Sequence, residues 1–138
     1  MEHLNEFVTN NWVMIILWCF LLGMIIHSFI NSSYDISPQQ AVLLMSHENG
    51  SVVVDVREDK EFQEGHISDS IHIPLGALAS RASELEKYKN KNIILSCRSG
   101  SRSGRACGIL KKQGFEKVHN LHGGVLAWEK DNLPMKKG

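Results

Sequence analysis

The chain has 138 residues, no formal net charge at pH 7, 43% hydrophobic and 22% charged residues, a balance that excludes long disorder. Once an apolar N-terminal stretch is set aside, roughly a hundred residues remain, which is one small globular domain and no more. Residues 1–56 contain no Lys or Arg and five acids, whereas 57–138 hold all fifteen bases and ten acids; that dispersed excess excludes a nucleic-acid footprint and suits a small anionic substrate.

Residues 1–11 read as an N-terminal tail, 12–30 as a transmembrane helix, 31–35 as a linker and 36–138 as the folded domain. From Phe7 to Tyr34 no residue is formally charged, and Trp12 to Ile30 runs WVMIILWCFLLGMIIHSFI. At about 1.5 Å per residue, such a helix comes close to the ~30 Å hydrocarbon core of a bilayer. Trp12 and Tyr34 are expected as interfacial anchors, and Cys19 as a small hydrophobe within the span. Glu2 and Glu6 stand where a signal peptide would carry Lys or Arg, so the segment is read as a retained single-pass anchor. The later basic excess puts the C-terminal domain on the cytoplasmic side. His27 lies near the end of the span, within reach of the headgroups.

Beyond the linker the pattern is α/β. Ser37 and Pro38 form an N-cap and first-turn pair for a helix to about His47, with Asn49-Gly50 as its stop. Ser51–Val56 (SVVVDV) is a buried strand by its β-branched content. Glu58–Glu64 is a short acidic helix ended by Gly65, and Ile71–Ile73 an extended piece closed by Pro74. Ala77–Tyr88 has helical spacing, Asn92–Ser96 (NIILS) is a second central strand, and Ser103–Gln113 a helix ended by Gly114. Lys117–Leu121 is a third strand and Val125–Asp131 a last helix. Strands alternating with helices predict a mostly parallel sheet covered on both faces.

The strand NIILS runs directly into CRSGSRS and a helix, which sets Cys97 at the carboxyl end of a central strand, where open α/β sheets place ligands. Gly100 lets the loop curl its amides inward, and these, with the following helix N-terminus, predict an anion cradle around the sulfur. Arg98 and Arg102 add positive charge. Hydrogen bonds and nearby cations favour the ionised thiol, so Cys97 is the candidate nucleophile and needs no separate base. Cys19, Cys97 and Cys107 form no CxxC pair, and an odd count is a poor disulfide framework, which favours a reducing compartment.

DVRE at Asp55–Glu58, EFQEGHI at Glu61–Ile67, IHIPL at Ile71–Leu75, CRSGSRS at Cys97–Ser103 and GGVLAWEKDNLPM at Gly123–Met135 together resemble the rhodanese family, over about residues 36–135. The resemblance implies a three-layer α/β/α fold with a small, mostly parallel central sheet, here preceded by one transmembrane helix. It implies sulfur transfer through a Cys97 persulfide, from thiosulfate or a similar anionic donor to a thiol or other acceptor, small or protein. Arg98, Ser99, Gly100, Ser101, Arg102 and Ser103 would bind the donor. No cofactor or metal is implied. Asp55, Arg57 and His66 match family positions and are read as structural supports of the loops. A membrane-anchored persulfide carrier or docking module with little turnover is the alternative. The phosphatase and arsenate-reductase branch is disfavoured because its loop places Arg six residues after Cys, where this chain has Ser103 and carries Arg102 at five. His119 and His122 lack the partners of a metal site, Cys107 is expected to pack inward, and Trp128 is expected in the core.

Overall fold

The computed structural model describes residues 1–32, 34–47 and 50–138. The chain divides into two units, Met1–Ser33 and Tyr34–Gly138.

The first unit is a helix, α1 (Glu2–Ser32), whose stretch Glu2–Ile30 is long and apolar enough to cross a membrane by length and composition. The expected tail is therefore helical. A break remains at its boundary, where Asn11 leaves helical geometry (φ −121°, ψ 17°) and its side-chain amide donates to Phe7 O at 2.8 Å. A short polar side chain bonding the carbonyl four residues back bends a helix in this way. The expected linker shrinks from both ends, since α1 reaches Ser32 and Asp35 belongs to a strand. Ser33 and Asn49, the latter part of the predicted helix stop, lie outside the described residues.

The second unit is built on a five-stranded sheet in the order β1-β6-β5-β2-β4, with every pairing among the described residues parallel. Its strands are β1 (Asp35–Ile36), β2 (Ser51–Asp55), β4 (Ile71–His72), β5 (Asn92–Ser96) and β6 (Val118–Leu121). The helices are α2 (Pro38–Ser46), α3 (Asp59–Glu64), α4 (Leu75–Arg81), α5 (Ser101–Lys112) and α6 (Gly124–Lys130). A small antiparallel pair, β3 (His66–Ile67) with β7 (Met135–Lys136), lies apart from the main sheet.

Alternation along the two central strands divides the core. Val52, Val54 and Val56 of the β2 segment, with Ile93, Leu95 and Cys97 of the β5 segment, face one cluster, to which α4 and α5 contribute Leu78, Ala106, Cys107 and Leu110. Val53 and Ile94 face the other, with Ala41 of α2, Ile67 of β3, and Val125 and Trp128 of α6. The period of two along a strand thus carries the sheet's two buried faces, and it puts the Cys97 side chain on the α5 side.

Three expectations change. The predicted helix Ala77–Tyr88 begins at Leu75 and becomes a 3₁₀-helix over Ala82–Tyr88. Its physical reason is spacing: Ala82 and Leu85 are buried and Tyr88 packs on the same cluster, a period of three that a 3₁₀ turn aligns and an α-turn does not. Helix α5 starts at Ser101, two residues before the expected Ser103, because Gly100 (φ 99°) turns the chain sharply enough to begin it. Tyr34, expected as an interfacial anchor, packs against the core cluster of the second unit, with Lys111 Nζ 5.9 Å from its ring centre. The other predicted elements of this unit fall within two residues of expectation, and Ser37 caps α2 through a capping box with Gln40.

Candidate active site

Cys97 follows the last residue of β5 and is 1% exposed. Its sulfur accepts the Gly100 backbone N–H at 3.1 Å and lies 3.3 Å from the Ser103 hydroxyl, the first from the loop and the second from the first turn of α5. Burial pushes the Cys97 thiol up. The Ser103 hydroxyl and the backbone N–H groups of Ser103, Gly100 and Ser99 outweigh that effect, and the thiol titrates below the ordinary cysteine value. Cys107, also buried but without that ring of donors, is pushed up to about 12 by desolvation and then by Asp35, so it is an unreactive packing group.

What turns the loop amides toward the sulfur lies across the site. The carbonyls of Cys97 and Arg98 accept the N–H groups of Val125 (2.8 Å) and Leu126 (3.2 Å), at the start of α6. With these carbonyls committed outward, the N–H groups face in. So close an approach requires Gly124, which sits at φ 59° and whose place a Cβ could take only by colliding with Cys97 O and Arg98 O. Gly124→Ala is therefore expected to cost about 1–3 kcal/mol of overpacking and to raise the Cys97 pKa, whereas Gly108→Ala, in an open stretch of α5, is neutral or slightly stabilising. Thermal unfolding of both variants beside the parent checks this; equal melting temperatures would remove Gly124 from the site.

The two arginines of the loop have different roles. Arg102 donates to both carboxylate oxygens of Glu61 on α3 (2.7 and 2.9 Å), so its charge is neutralised by an acid that sequence reasoning had not paired with it. That hydrogen bond lowers the Glu61 carboxyl from 4.5 to about 2 against a smaller opposing effect of burial. Because the folded value is depressed, the clamp's stabilisation is complete above about pH 4.5 and lost as the pH falls toward about 2. Glu61→Gln should flatten the pH dependence of melting temperature in that window. Arg98 is exposed and forms no ion pair among the described residues. It lines a shallow depression of about 180 Å³ with Arg57, Glu61, Glu64, Gly65, Val125, Leu126 and Glu129. Ser101 occupies the first position of α5 and is exposed.

Asp55 and Arg57 form a buried ion pair at 2.7 Å, and Arg57 also donates to Gly65 O at 2.8 Å, tying the end of β2 to the turn after α3. His66 bonds Phe62 O through Nδ1 at 3.0 Å and stacks on the Phe62 ring, whose other stacking partner is His72. This cluster braces α3, the element that carries Glu61. His119 bonds Asn92 Oδ1 and His122 bonds Asp35 Oδ2, so the two rings serve different partners. Burial, then Lys111, holds the His119 ring below the ordinary histidine value. Trp128 is buried and its indole donates to Pro134 O at 3.0 Å.

Asn120 of β6 is a site residue that sequence reasoning missed. It bonds Ser103 Oγ, Gly100 O and Asp35 Oδ1, from a position seventeen residues beyond Ser103 and 85 beyond Asp35. The only sequence signal for it was its place on the strand next to β5.

A family model described as the rhodanese-like domain matches residues 37–131. A sulfurtransferase of Allochromatium vinosum is 38% identical over 84 residues, which are 61% of this chain and 77% of that one. YibN of Escherichia coli strain K12 is 33% identical over 143 aligned positions, covering 100% of this chain and 99% of its own. A rhodanese-related protein of Thermoplasma volcanium, known from its crystal structure, superposes with a TM-score of 0.67 at 27% identity, over 75% of this chain and 98% of that one. With a cysteine loop between β5 and α5 and a family match across nearly all of the second unit, the chain belongs to the rhodanese-like domain family.

Proposed function

We propose that this protein is a sulfurtransferase that carries sulfane sulfur as a persulfide on Cys97, taking it from thiosulfate or a similar anionic donor. The Cys97 thiolate attacks the outer sulfur, the S–S bond of the donor breaks, and sulfite leaves with its electron pair. A thiol acceptor, small or protein, then attacks the terminal sulfur and restores the thiolate. The observation that carries the reading is the cradle at the end of β5, where the Gly100 N–H and the Ser103 hydroxyl meet a sulfur whose pKa is lowered. Such donors stabilise the attacking thiolate and the persulfide anion alike. Arg98, a neighbour of Cys97 in the loop with no ion pair among the described residues, would receive the donor's charge, and Arg102 shapes the loop through Glu61. The sulfurtransferase name of the Allochromatium relative supports the same class of chemistry.

In this reading α1 anchors the protein in a membrane as a single pass, with residues 34–138 on the cytoplasmic side. Its apolar length and the basic excess after residue 56 support that arrangement. Mass spectrometry of the full chain in detergent after thiosulfate exposure tests the chemistry. One added sulfur on the peptide containing Cys97 is expected. Addition elsewhere, or none, overturns it. Stoichiometric loading without turnover would favour the persulfide carrier.

A further inference from the structure

The Ser103 hydroxyl lies between two acceptors, Cys97 Sγ at 3.3 Å and Asn120 Oδ1 at 2.5 Å. It has one proton to give. Asn120 is held in place, since its two amide hydrogens go to Asp35 Oδ1 (2.8 Å) and Gly100 O (3.0 Å). Rotating the amide would set its oxygen against both of those acceptors, so the carbonyl stays aimed at Ser103. All of these groups but Asp35 and Gly100 are buried, which makes an unmatched donor or acceptor among them costly.

We propose that Asn120, oriented by Asp35, is a positioning residue that competes with Cys97 for the single Ser103 proton and so sets the balance between a fully stabilised and a more reactive sulfur anion. The proposal rests on Cys97 being the reactive sulfur. When Asn120 holds the proton, the thiolate keeps its backbone donors but lacks the hydroxyl. A thiolate with fewer donors is more basic and a stronger nucleophile, and a persulfide anion can draw the proton back. Asp35 is the second residue of the folded unit, so the chain's point of entry into that unit is wired to the nucleophile through two side chains. Among the described residues, the other charged or titratable groups around Cys97 include Arg98 of its loop, Arg102 of α5 with Glu61 of α3 upon it and Glu58 near it, the Asp55–Arg57 pair beside the end of β5, His122 on the outer oxygen of Asp35, and the unreactive Cys107 of α5.

The test is the pH dependence of iodoacetamide alkylation at Cys97 in the full chain in detergent, read by peptide mass spectrometry so that Cys19 and Cys107 are counted separately. Asn120→Ala is expected to lower the midpoint by about half to one pH unit, because the hydroxyl proton turns wholly to the sulfur. Ser103→Ala is expected to raise it, and Asn120→Ala added to Ser103→Ala to shift it no further. A midpoint that stays or rises in Asn120→Ala, or a shift that persists without Ser103, overturns the proposal. Should Asn120→Ala not fold, Asp35→Ala frees the amide to rotate and is expected to lower the midpoint more than Asp35→Asn, which removes the charge but leaves an acceptor; equal shifts overturn it. Alkylation needs no sulfur donor, so these outcomes stand apart from persulfide formation. Shifts as expected without a persulfide would retain the proton competition and remove sulfur transfer.

Discussion

Cys97→Ser is expected to lower thiosulfate-dependent sulfur transfer by at least about a thousandfold, to the rate without protein. Serine is smaller than cysteine by little, and the Gly100 N–H and Ser103 hydroxyl that meet Sγ remain to bond an oxygen, so the fold is retained. What disappears is the reactivity. Hydrogen bonds in this cradle lower a thiol that starts within a few units of neutrality, whereas an alcohol starts too high for the same donors to ionise it. A serine also cannot hold a sulfane sulfur as a stable persulfide. Coupled measurement of sulfite release, with unfolding curves taken beside it, reads both halves of the expectation. Activity within tenfold of the parent would move the reaction away from Cys97.

Asp55→Ala is expected to destabilise the second unit by about 3–5 kcal/mol, more than any other single change considered. The Asp55 side chain is fully buried and that of Arg57 is 7% exposed, so removing the acid leaves the guanidinium with Gly65 O as its one hydrogen-bond acceptor among the described residues. The two carboxylate oxygens also accept the Arg57 backbone N–H and Nε, so two further donors lose their acceptor. Desolvation, rather than the lost attraction, is the larger part of such a penalty. That is why Asp55→Ala combined with Arg57→Leu should recover part of the loss, an outcome that chemical denaturation of the full chain in detergent measures. If single and double variants unfold at the same denaturant concentration, the stranded charge is not the cause.

The two predictions draw on different kinds of legibility. Local chemistry was readable from the residues: the β-branched runs at 51–55 and 92–96, the Ser37-Pro38 helix start, and a cysteine followed by Gly and two Arg at a strand-to-helix junction. Each of those signals lies within a few consecutive residues, where backbone preferences and side-chain spacing act directly. The two-residue strands β1, β3 and β7 escaped notice because a pair of residues has no period, and only their partners in the sheet make them strands. The 3₁₀ segment escaped because spacings of three and four are compatible with one amphipathic stripe until the core they face is known.

The same division runs through the site. That Cys97 would sit in an anion cradle followed from seven consecutive residues, since a small, glycine-containing loop leading into a helix turns its amides one way. Which charges remain free around it could not follow, because pairing is decided by distance in space. Glu61 lies 41 residues from Arg102 and neutralises it, while Arg98 forms no ion pair among the described residues; Gly124 admits α6 against the loop; Asn120 and Asp35 reach the Ser103 proton from neighbouring strands. The sequence alone thus pointed to Cys97 as the candidate nucleophile and determined the order of the longer elements and the apolar helix before them. Tertiary structure alone decided who shares each proton and charge, because hydrogen bonds and ion pairs are short-ranged and a parallel sheet brings together segments far apart in the chain.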